Sequence, residues 1–470
     1  MIALSLAEIA DVLGGELQLA TGDTPQTIVD GVVDTDSRVM EPGAIFVAKP
    51  GEVTDGHRFV GDAVAAGAVL AIVEHPVEVS VSQIVVADAV AALADLARAV
   101  VARVRETGDL RIVGITGSNG KTTTKNFLAR ILQDEGETVA PIKSYNNEVG
   151  APLTMLRVTP TTRFLVSEFG AAGVGSIAHL AGLVQPDVAV VLMVGLAHAG
   201  GFGGIEQTAQ AKAELVEATR PGGTAVLNVD DPRVAAMRSI ADARGLTTVG
   251  FGQGAAADVR ASAIDVTASG TGAVVEVAGE HLPLRLQVLG AHHISNALAA
   301  IAAAVVLGAS ASDAIARLET VEIAERWRMQ PLGNDSVRII NDAYNASPDS
   351  MAAALRTLAQ ITTPSERTVA VLGAMSELGD AAGEEHDRIG LLAVRLNIQR
   401  IVVVGPEARR LFLSVVGEGS WDGEAVHLAD QDAAFEYLRT ELREGDRVLV
   451  KSSNSVGLRH LGDRLGELFS

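Results

Sequence analysis

The sequence predicts an α/β protein of three domains, and three observations lead to this prediction. The chain has 470 residues, which at roughly 150 residues per domain corresponds to about three domains. Hydrophobic residues make up 48% and charged residues 20% of the chain, a composition that suits several apolar cores and excludes wholesale disorder. Short apolar runs alternate with helical patterns, which predicts mostly parallel sheets covered by helices.

The domain boundaries are predicted where this alternation restarts. They give a small N-terminal α/β domain at 1–105, a central domain with a mostly parallel sheet at 106–325, and a C-terminal Rossmann-like α/β domain at 326–470. Within the central domain, β-branched alternation between Asp258 and Val288 predicts an antiparallel appendage. The Ala-rich stretch from Leu286 to Ser312 predicts a buried helix rather than a membrane span, because Gly and polar residues interrupt it.

Charge and cysteine content exclude several classes of function. The chain carries 37 basic and 58 acidic residues, a net charge of −21, which argues against nucleic-acid binding and against an anionic membrane surface. Anionic small ligands remain compatible, since they need only a local basic pocket. Cysteine is absent, which excludes disulfides, thiolate metal sites and a Cys nucleophile. The N-terminus has no basic residue before Arg38, so we expect no signal peptide and a cytoplasmic protein.

The strongest local signal is a glycine-rich loop in the central domain. It follows the β run Arg111–Thr116 and precedes a helical stretch, which is the context of a phosphate-binding P-loop. Such a loop turns its N–H groups towards phosphate, its lysine reaches the outer phosphates and its threonine ligates Mg²⁺. Ile115 stands where the strict pattern has its first Gly, and a chance Gly-rich turn is the alternative. The predicted nucleotide-binding residues are Gly117, Ser118, Asn119, Gly120, Lys121, Thr122 and Thr123.

The segment from Thr116 to Thr122 also resembles the ATP loop of the Mur ligase family. Members of that family join amino acids or peptides to a UDP-linked cell-wall precursor. The resemblance extends over all three predicted domains and implies ATP and Mg²⁺ as cofactors.

Four residues of the central domain are implied as metal ligands. Glu168 ends an apolar strand and His198 follows another, and with the Thr122 hydroxyl they form a donor set that suits Mg²⁺. Taken alone, Glu168 is compatible with a solvated strand end and His198 with a packing residue. Lys212 by default is a helix-surface lysine, whereas the resemblance implies a carbamylated lysine that helps to bind a second Mg²⁺. Carbamylation requires a neutral amine and hence a lowered pKa.

Two further positions are assigned by the resemblance to ATP. Asn296, which follows the pair His292-His293, is expected to contact the adenine, and a helix-capping Asn is its alternative. Relatives usually have Asn at the position of His293. Arg328 is expected to contact the transferring phosphate, with a surface arginine near a linker as the alternative. Relatives usually have Gly at the position of Trp327. With Lys121, Lys212 and His198, Arg328 completes the predicted catalytic set.

The segment from Ile340 to Met351 identifies the branch of the family. It is a polar loop after a strand, and it is similar to the Asp-Ala-Tyr-Asn-Ala-Asn-Pro-x-Ser-Met signature of the branch that adds D-alanyl-D-alanine. Asp342 is assigned to the ribose and Asn345 to the nucleotide pocket. The Asp-Asn-Pro-Arg signature of the branch that adds a single amino acid is missing from this chain.

The remaining predicted residues concern the other two substrates. Ser37 and Arg38, within Asp34–Arg38, resemble a UDP-binding loop, and a plain turn is the alternative. The side chains of Asn146 and Asn147 are candidates for reading the amide edges of the precursor. Near the C-terminus, Lys451 and Ser453 are candidates for binding the carboxylate of the dipeptide. There Ser452 and Asn454 replace the usual Gly and Arg.

The resemblance implies an ATP-dependent ligase of peptidoglycan precursor synthesis. Such an enzyme adds D-alanyl-D-alanine to UDP-N-acetylmuramoyl-tripeptide through an acyl phosphate, and we expect a monomer with no nucleic-acid partner and no membrane insertion. Two alternatives remain open: a related amide ligase that adds a single amino acid or extends folate with glutamate, and a nucleotide-binding protein without catalysis. The third residue of the tripeptide, lysine or diaminopimelate, is left open.

Overall fold

A computed structural model of the chain describes residues 1–51, 54–142, 144–196, 203–321, 326–419 and 421–470. In it, three sheets of five, nine and six strands follow one another along the sequence, together with one two-stranded ribbon. This confirms the predicted α/β class with mostly parallel sheets. None of the described helices combines the length and the apolar character needed to cross a membrane.

The N-terminal block contains the five-stranded sheet, in the order β2-β7-β6-β5-β4, and the ribbon β1-β3. Only β2 runs antiparallel to its neighbour in that sheet. Helix α1 begins with a capping box in which Ser5 and Glu8 satisfy each other's backbone N–H groups. The elements are β1 (Leu4–Ser5), α1 (Leu6–Leu13), β2 (Glu16–Gln18), β3 (Ile28–Val29), β4 (Val33–Asp34), β5 (Ile45–Val47), α2 (Val60–Ala65), β6 (Leu70–Val73), β7 (Ser82–Val85) and α3 (Ala89–Thr107).

The central block forms the nine-stranded sheet, in the order β16-β15-β14-β13-β12-β11-β8-β10-β9. Strands β8 to β13 pair in parallel, and β15 pairs antiparallel with both β14 and β16. The predicted antiparallel appendage is therefore confirmed. The strands are β8 (Arg111–Thr116), β9 (Thr138–Val139), β10 (Phe164–Glu168), β11 (Val188–Val191), β12 (Thr224–Asn228), β13 (Thr247–Gly252), β14 (Val259–Thr267), β15 (Gly270–Val277) and β16 (Glu280–Leu286).

Helices cover both faces of this sheet. The Ala-rich stretch forms helix α10, which is buried along most of its length and packs on α4, as predicted for a core helix. Its many Ala residues leave room for this close packing. The helices are α4 (Lys121–Leu132), α5 (Gly150–Met155), α6 (Ser176–Gly182), α7 (Ile205–Ala218), α8 (Pro232–Ala236), α9 (Arg238–Ala243), α10 (His292–Val306) and α11 (Ala311–Leu318).

The C-terminal block contains the six-stranded sheet, in the order β17-β18-β22-β19-β20-β21. Only β17 is antiparallel to its neighbour. The elements are β17 (Gln330–Gly333), β18 (Val337–Asn341), α12 (Pro348–Ile361), β19 (Arg367–Leu372), α13 (Ala382–Arg395), β20 (Arg400–Val404), α14 (Arg409–Val416), β21 (Glu424–Leu428), α15 (Gln431–Glu441), β22 (Asp446–Lys451) and α16 (Leu458–Leu468).

The strand ends place the polar loops of two blocks at one cleft. The phosphate loop follows β8, Glu168 ends β10, and Asp342 follows β18, so each lies at the carboxyl end of a parallel strand. Ligands of open α/β sheets bind at such ends. Ser347, which caps α12, donates a hydrogen bond to Asn119 Oδ1 in the phosphate loop (3.1 Å). The loop and the C-terminal block are therefore in direct contact.

A buried carboxylate joins the N-terminal block to the central sheet. Asp187 Oδ2 accepts hydrogen bonds from the N–H of Ile112 in β8 (2.8 Å) and from Arg105 Nη2 in α3 (3.0 Å). Arg220 Nη1 lies 2.8 Å from the other oxygen. Helix α3 also belongs to an apolar cluster that extends from the first sheet to the second. The predicted boundary at 105 falls in the last turn of α3, and the boundary at 325 lies outside the described residues; both stay predictions.

Replacing Asp187 with Ala is expected to destabilise the junction of these blocks by about 3 kcal/mol, because three arginines and a buried N–H lose a partner. The measurement is the urea midpoint of unfolding. Asp95→Ala, which breaks the exposed pair with Arg98 on the same helix α3, is the matched control and is expected to leave the midpoint nearly unchanged. Equal midpoints for both variants would contradict this role of Asp187.

Candidate active site

The phosphate loop has the geometry that its sequence predicts. Strand β8 ends at Thr116 and helix α4 begins at Lys121, so the intervening residues lie at a helix N-terminus. Lys121 Nζ donates to the carbonyl of Gly117 (2.7 Å). Burial lowers the pKa of Lys121, and the nearby charge of Glu168 opposes that effect. The ammonium group is thus held inside the loop, where a phosphate would replace part of its lost hydration.

Gly120 is required at its position for two reasons. Its φ is +87°, which only glycine adopts without strain. A Cβ at this position would collide with Asn296 Oδ1 of helix α10. Asn296 is only 7% exposed and caps no helix end. Its amide lies against the phosphate loop and lines the cavity next to that loop. The alternative of a helix-capping Asn is therefore not supported.

A cavity of about 300 Å³ lies between the central and C-terminal blocks. The central block contributes the phosphate loop, Glu168 at the end of β10 and the start of α10. The C-terminal block contributes Arg328 and the loop after β18. The predicted residues that line this cavity are Ser118, Asn119, Gly120, Lys121, Thr122, Thr123, Asn146, Glu168, Asn296, Arg328, Asp342, Asn345 and Lys451.

Glu168 and Thr122 lie in the wall of this cavity, and their surroundings fit a metal ion. Glu168 is 1% exposed, and its Oε1 accepts a hydrogen bond from Asn146 Nδ2 (2.7 Å). Its Oε2 is buried and has no hydrogen-bond partner among the described residues. Thr122 Oγ1 lies 3.2 Å from Ser144 Oγ. An oriented carboxylate with a free oxygen beside a hydroxyl is the donor chemistry that Mg²⁺ prefers. His198, the third predicted ligand, lies outside the described residues.

Lys212 is buried rather than on the helix surface. It is 5% exposed on helix α7, and no described residue forms a hydrogen bond or ion pair with its amine. Burial, together with the charge of Lys121, lowers the pKa of Lys212 to about 7. The neutral amine is therefore far more accessible near neutral pH than that of an ordinary lysine. A neutral, accessible lysine amine is the species that reacts with carbon dioxide.

A second cavity of about 690 Å³ adjoins the first. Gly117, Ser118, Lys121 and Asn146 line it, together with Lys212 and His179. Ser118, Lys121 and Asn146 line both cavities. The phosphate loop therefore separates two chambers and presents its lysine to each of them.

Two histidines at the start of α10 line the first cavity, and burial lowers the pKa of both. Burial lowers the pKa of His292 to about 4, with Asp342 opposing and Lys451 adding to the effect. Burial also lowers the pKa of His293 well below its ordinary value. His293 is 8% exposed, and neither ring nitrogen has a hydrogen-bond partner among the described residues. The sequence identified His293 only as a departure from relatives.

Arg328 reaches the central block from the C-terminal one. Its guanidinium lies over the ring of Tyr344 at 4.1 Å, and its Nη2 lies 3.4 Å from Ser144 Oγ. Ser144 in turn contacts Thr122. The alternative of a surface arginine is therefore wrong, because this side chain enters the cavity wall.

Asp342 and Lys451, which the sequence assigned to different ligands, form one ion pair. Lys451 Nζ lies 2.6 Å from Asp342 Oδ2 and 3.0 Å from the carbonyl of Asn345. Lys451 is buried and lines the first cavity. The two residues are 109 positions apart and meet because β18 and β22 are adjacent. A free carboxylate ligand for Lys451 would have to compete with Asp342.

Other predicted residues have structural partners. Asn147 Oδ1 accepts from the N–H of Gly150 (2.8 Å) and thereby holds the start of α5. Ser453 donates to the carbonyl of Ala346 (3.2 Å) and lines a separate cavity of about 400 Å³. Ser37 begins a short 3₁₀ helix in the N-terminal block.

The side chain of Arg38, from the same 3₁₀ helix, is 85% exposed, and its guanidinium donates two hydrogen bonds to Asp36. Neither Ser37 nor Arg38 lines the two main cavities.

Several residues of the site were not identified from the sequence. Met193 and Asp349 line the first cavity, and Ser118 exchanges hydrogen bonds with the backbone of Gly195. Burial raises the pKa of Asp349. Asp349 lies within the loop that identified the branch of the family, so position in that loop was the available signal. Met193 carries no polar group, and nothing in its sequence context indicated a site.

Comparisons with known proteins agree with this geometry. The Mur ligase family catalytic domain matches residues 31–107, the Mur ligase middle domain matches 115–304, and the Mur ligase glutamate ligase domain matches 327–454. The chain is 43% identical to the UDP-N-acetylmuramoyl-tripeptide--D-alanyl-D-alanine ligase of Mycobacterium tuberculosis, covering 99% of this chain and 98% of that protein. It is 34% identical to the ligase of the same name from Escherichia coli, covering 99% of each chain.

Solved structures give the same result. MurF from Acinetobacter baumannii superposes with a TM-score of 0.88 at 30% identity, covering 99% of each chain. MurF ligase from Thermotoga maritima in complex with ADP has a TM-score of 0.80 at 27% identity, covering 94% of this chain and 98% of that one. With three matched domains and full-length similarity, the chain belongs to the Mur ligase family of ATP-dependent peptide ligases.

Proposed function

We propose that this enzyme adds D-alanyl-D-alanine to UDP-N-acetylmuramoyl-tripeptide in peptidoglycan precursor synthesis, with hydrolysis of ATP to ADP and phosphate. The observation that carries the proposal is the pair of cavities that meet at Lys121. One has the residues to hold a nucleotide, and the other has room for an acceptor carboxylate beside two lysines. The full-length similarity to ligases of that name supports the choice of substrates. Consumption of ATP supports a cytoplasmic location.

On the nucleotide side, the loop from Gly117 to Thr123 would hold the phosphates through its N–H groups and Lys121. Asn296 would contact the adenine, because its amide is buried against Gly120 and forms no hydrogen bond with another described residue. Asp342 would bind the ribose through Oδ1, which also accepts the N–H of Met329, because Lys451 contacts Oδ2. We therefore assign Lys451 to the nucleotide side, where its ion pair orients Asp342.

Thr122 and Glu168 would hold Mg²⁺, with His198 and a carbamylated Lys212 as further ligands. When bound, the ion would neutralise phosphate charge and so reduce its repulsion of the attacking carboxylate. Asn146 fixes the orientation of Glu168 through its hydrogen bond to Oε1, which leaves Oε2 for the ion.

The reaction has two covalent steps. A carboxylate oxygen of the tripeptide attacks the γ-phosphorus of ATP, the bond to the bridging oxygen breaks, and ADP leaves. The dipeptide amine then attacks the acyl carbon, inorganic phosphate leaves, an amide forms and the amine loses a proton. Lys121 and Arg328 would counter the negative charge of the γ-phosphoryl group as it transfers. Enclosure between two blocks would keep water from the acyl phosphate.

The remaining assignments follow the blocks of the chain. We propose domains at 1–105 for the UDP precursor, 106–325 for ATP and 326–470 for the dipeptide. Ser37 and Arg38 would contact the UDP group. To do so, the guanidinium of Arg38 would leave the carboxylate of Asp36 and bind the diphosphate instead. Asn147 would contact the precursor through its amide nitrogen, since its oxygen is used on α5. Ser453 would contact the dipeptide in the cavity that it shares with Asn345.

Phosphate release from ATP is expected only when UDP-N-acetylmuramoyl-tripeptide and D-alanyl-D-alanine are both present, because the acyl phosphate is shielded from water until the amine arrives. A phosphate-release assay with each co-substrate omitted in turn measures this. Release driven by a single amino acid instead of the dipeptide would favour the related ligase. The absence of release under every combination would favour the non-catalytic interpretation.

Lys121→Ala is expected to lower kcat at least about 1,000-fold while leaving the fold intact, because the γ-phosphoryl group loses its buried cation. Steady-state kinetics and circular dichroism measure the two effects. Lys49→Ala, in the N-terminal block and away from both cavities, is the control and should retain activity. Retained ligase activity in Lys121→Ala would reject the assignment of the phosphate loop.

Lys212 is expected to react with amine-directed reagents with a midpoint near pH 7, because burial lowers its pKa to about 7. The sign of the shift makes the neutral amine abundant above that pH and scarce below it. Competitive labelling followed by mass spectrometry gives the midpoint. Carbon-13 NMR with labelled bicarbonate should show a carbamate signal that Lys212→Met abolishes and that fades as the pH falls below about 6. A labelling midpoint near 10 would contradict the burial argument.

A further inference from the structure

Arg328 lies between two residues with left-handed backbone conformations. The φ angles are +64° at Trp327 and +49° at Met329, in a region that residues with a Cβ rarely adopt. Such conformations persist only where surrounding contacts hold them. This chain therefore needs contacts that keep Trp327 in place.

The backbone on both sides of Arg328 has such contacts. The N–H of Trp327 donates to Gln330 Oε1 (2.8 Å), and its carbonyl accepts from the N–H of Tyr344 (3.0 Å). The N–H of Met329 donates to Asp342 Oδ1 (2.9 Å). Two of these partners, Tyr344 and Asp342, belong to the loop that lines the nucleotide cavity.

The indole of Trp327 is fixed to helix α16. Its Nε1–H points at both carboxylate oxygens of Asp463, at 3.1 and 2.9 Å. The guanidinium groups of Arg326 and Arg459 lie 4.8 and 5.4 Å from the ring centre. His460 meets the ring edge-on at 6.1 Å. Hydrogen bonds, cations and an aromatic ring thus hold one side chain from several directions.

Asp463 connects this side chain to the sheet as well. It accepts hydrogen bonds from Arg326 Nη2 (2.7 Å) and from Asn341 Nδ2 (3.1 Å). Asn341 is fully buried, ends β18 and directly precedes Asp342. The carboxylate of Asp463, on helix α16, therefore connects Arg326 and Trp327 to the end of strand β18, which leads directly to Asp342.

We propose that Trp327 and Asp463 are positioning residues that hold Arg328 towards the γ-phosphoryl group of ATP. The inference rests on the role proposed above for Arg328. Neither Trp327 nor Asp463 lines the nucleotide cavity. Both therefore act through Arg328, whose neighbours in the chain, Trp327 and Met329, have their backbone held by hydrogen bonds. With its Cα fixed, Arg328 stacks on Tyr344 and reaches Ser144 of the central block.

A double-mutant cycle tests this proposal. Trp327→Phe keeps the ring and removes the Nε1–H, and it is expected to lower kcat by roughly 10- to 100-fold with little change in KM for ATP, as misplacement of a charge-stabilising group does. In the Arg328→Ala background the same change should have almost no further effect, because its target is gone. Asp463→Asn should behave like Trp327→Phe. Trp421→Phe, the other tryptophan of the chain, is the matched control and should retain wild-type kinetics.

The cycle separates the inference from the function on which it rests. If Arg328→Ala leaves kcat unchanged, the role of Arg328 fails and the inference fails with it. If Arg328→Ala lowers kcat but Trp327→Phe does not, or if the effects of the two changes multiply, only the inference is overturned.

Fluorescence tests the indole contact without activity. In the Trp421→Phe background Trp327 is the sole emitter, and adding Asp463→Asn should shift its emission. An unchanged spectrum would overturn the contact, and circular dichroism would verify that each variant is folded.

Discussion

The site depends on the burial of positive charge around the phosphate loop. Lys121 is half-buried and Lys212 is buried, burial lowers the pKa of both amines, and the charge of Lys121 also lowers the pKa of Lys212. Arg328 approaches from the C-terminal block and adds to the effect on Lys121. Glu168 is the nearby carboxylate that opposes it. Taking cations out of water costs free energy unless anions compensate. The arrangement is therefore matched to a ligand that brings negative charge, as a triphosphate and a carboxylate do.

The sheets explain how distant parts of the chain form one site. Parallel strands place their polar loops at one edge, so the phosphate loop, Glu168 and the loop after β18 face the same cleft. Direct contacts then join the blocks: Ser347 to Asn119, and Arg328 to Ser144. At the other end of β8, Asp187 connects the N-terminal block to the central sheet. It accepts hydrogen bonds from Arg105 of α3 and from Ile112 of β8, the strand that leads to the phosphate loop.

Local features of the site were predictable from the sequence, and long-range features were not. The phosphate loop was predictable because strand, glycines and helix are consecutive, and the appendage was predictable because its alternation is local. The burial of Lys212 was not, since it depends on how α7 packs. The pair of Asp342 and Lys451 depends on the adjacency of β18 and β22, which periodicity does not reveal. Asn147 was assigned to a substrate and lines the second cavity, but the hydrogen bond from the N–H of Gly150 to its oxygen was not predictable, because a side chain that holds a helix start and one that binds a ligand look alike in sequence.

The contact between Ser347 and Asn119 has a consequence for the end of the catalytic cycle. Ser347 also caps α12, so the bond joins the phosphate loop to a whole helix of the C-terminal block. The nucleotide cavity is walled by both blocks, so any separation of these walls, including one that accompanies product release, has to break this bond. The strength of a single hydroxyl–amide hydrogen bond thereby contributes to how long the two walls stay together.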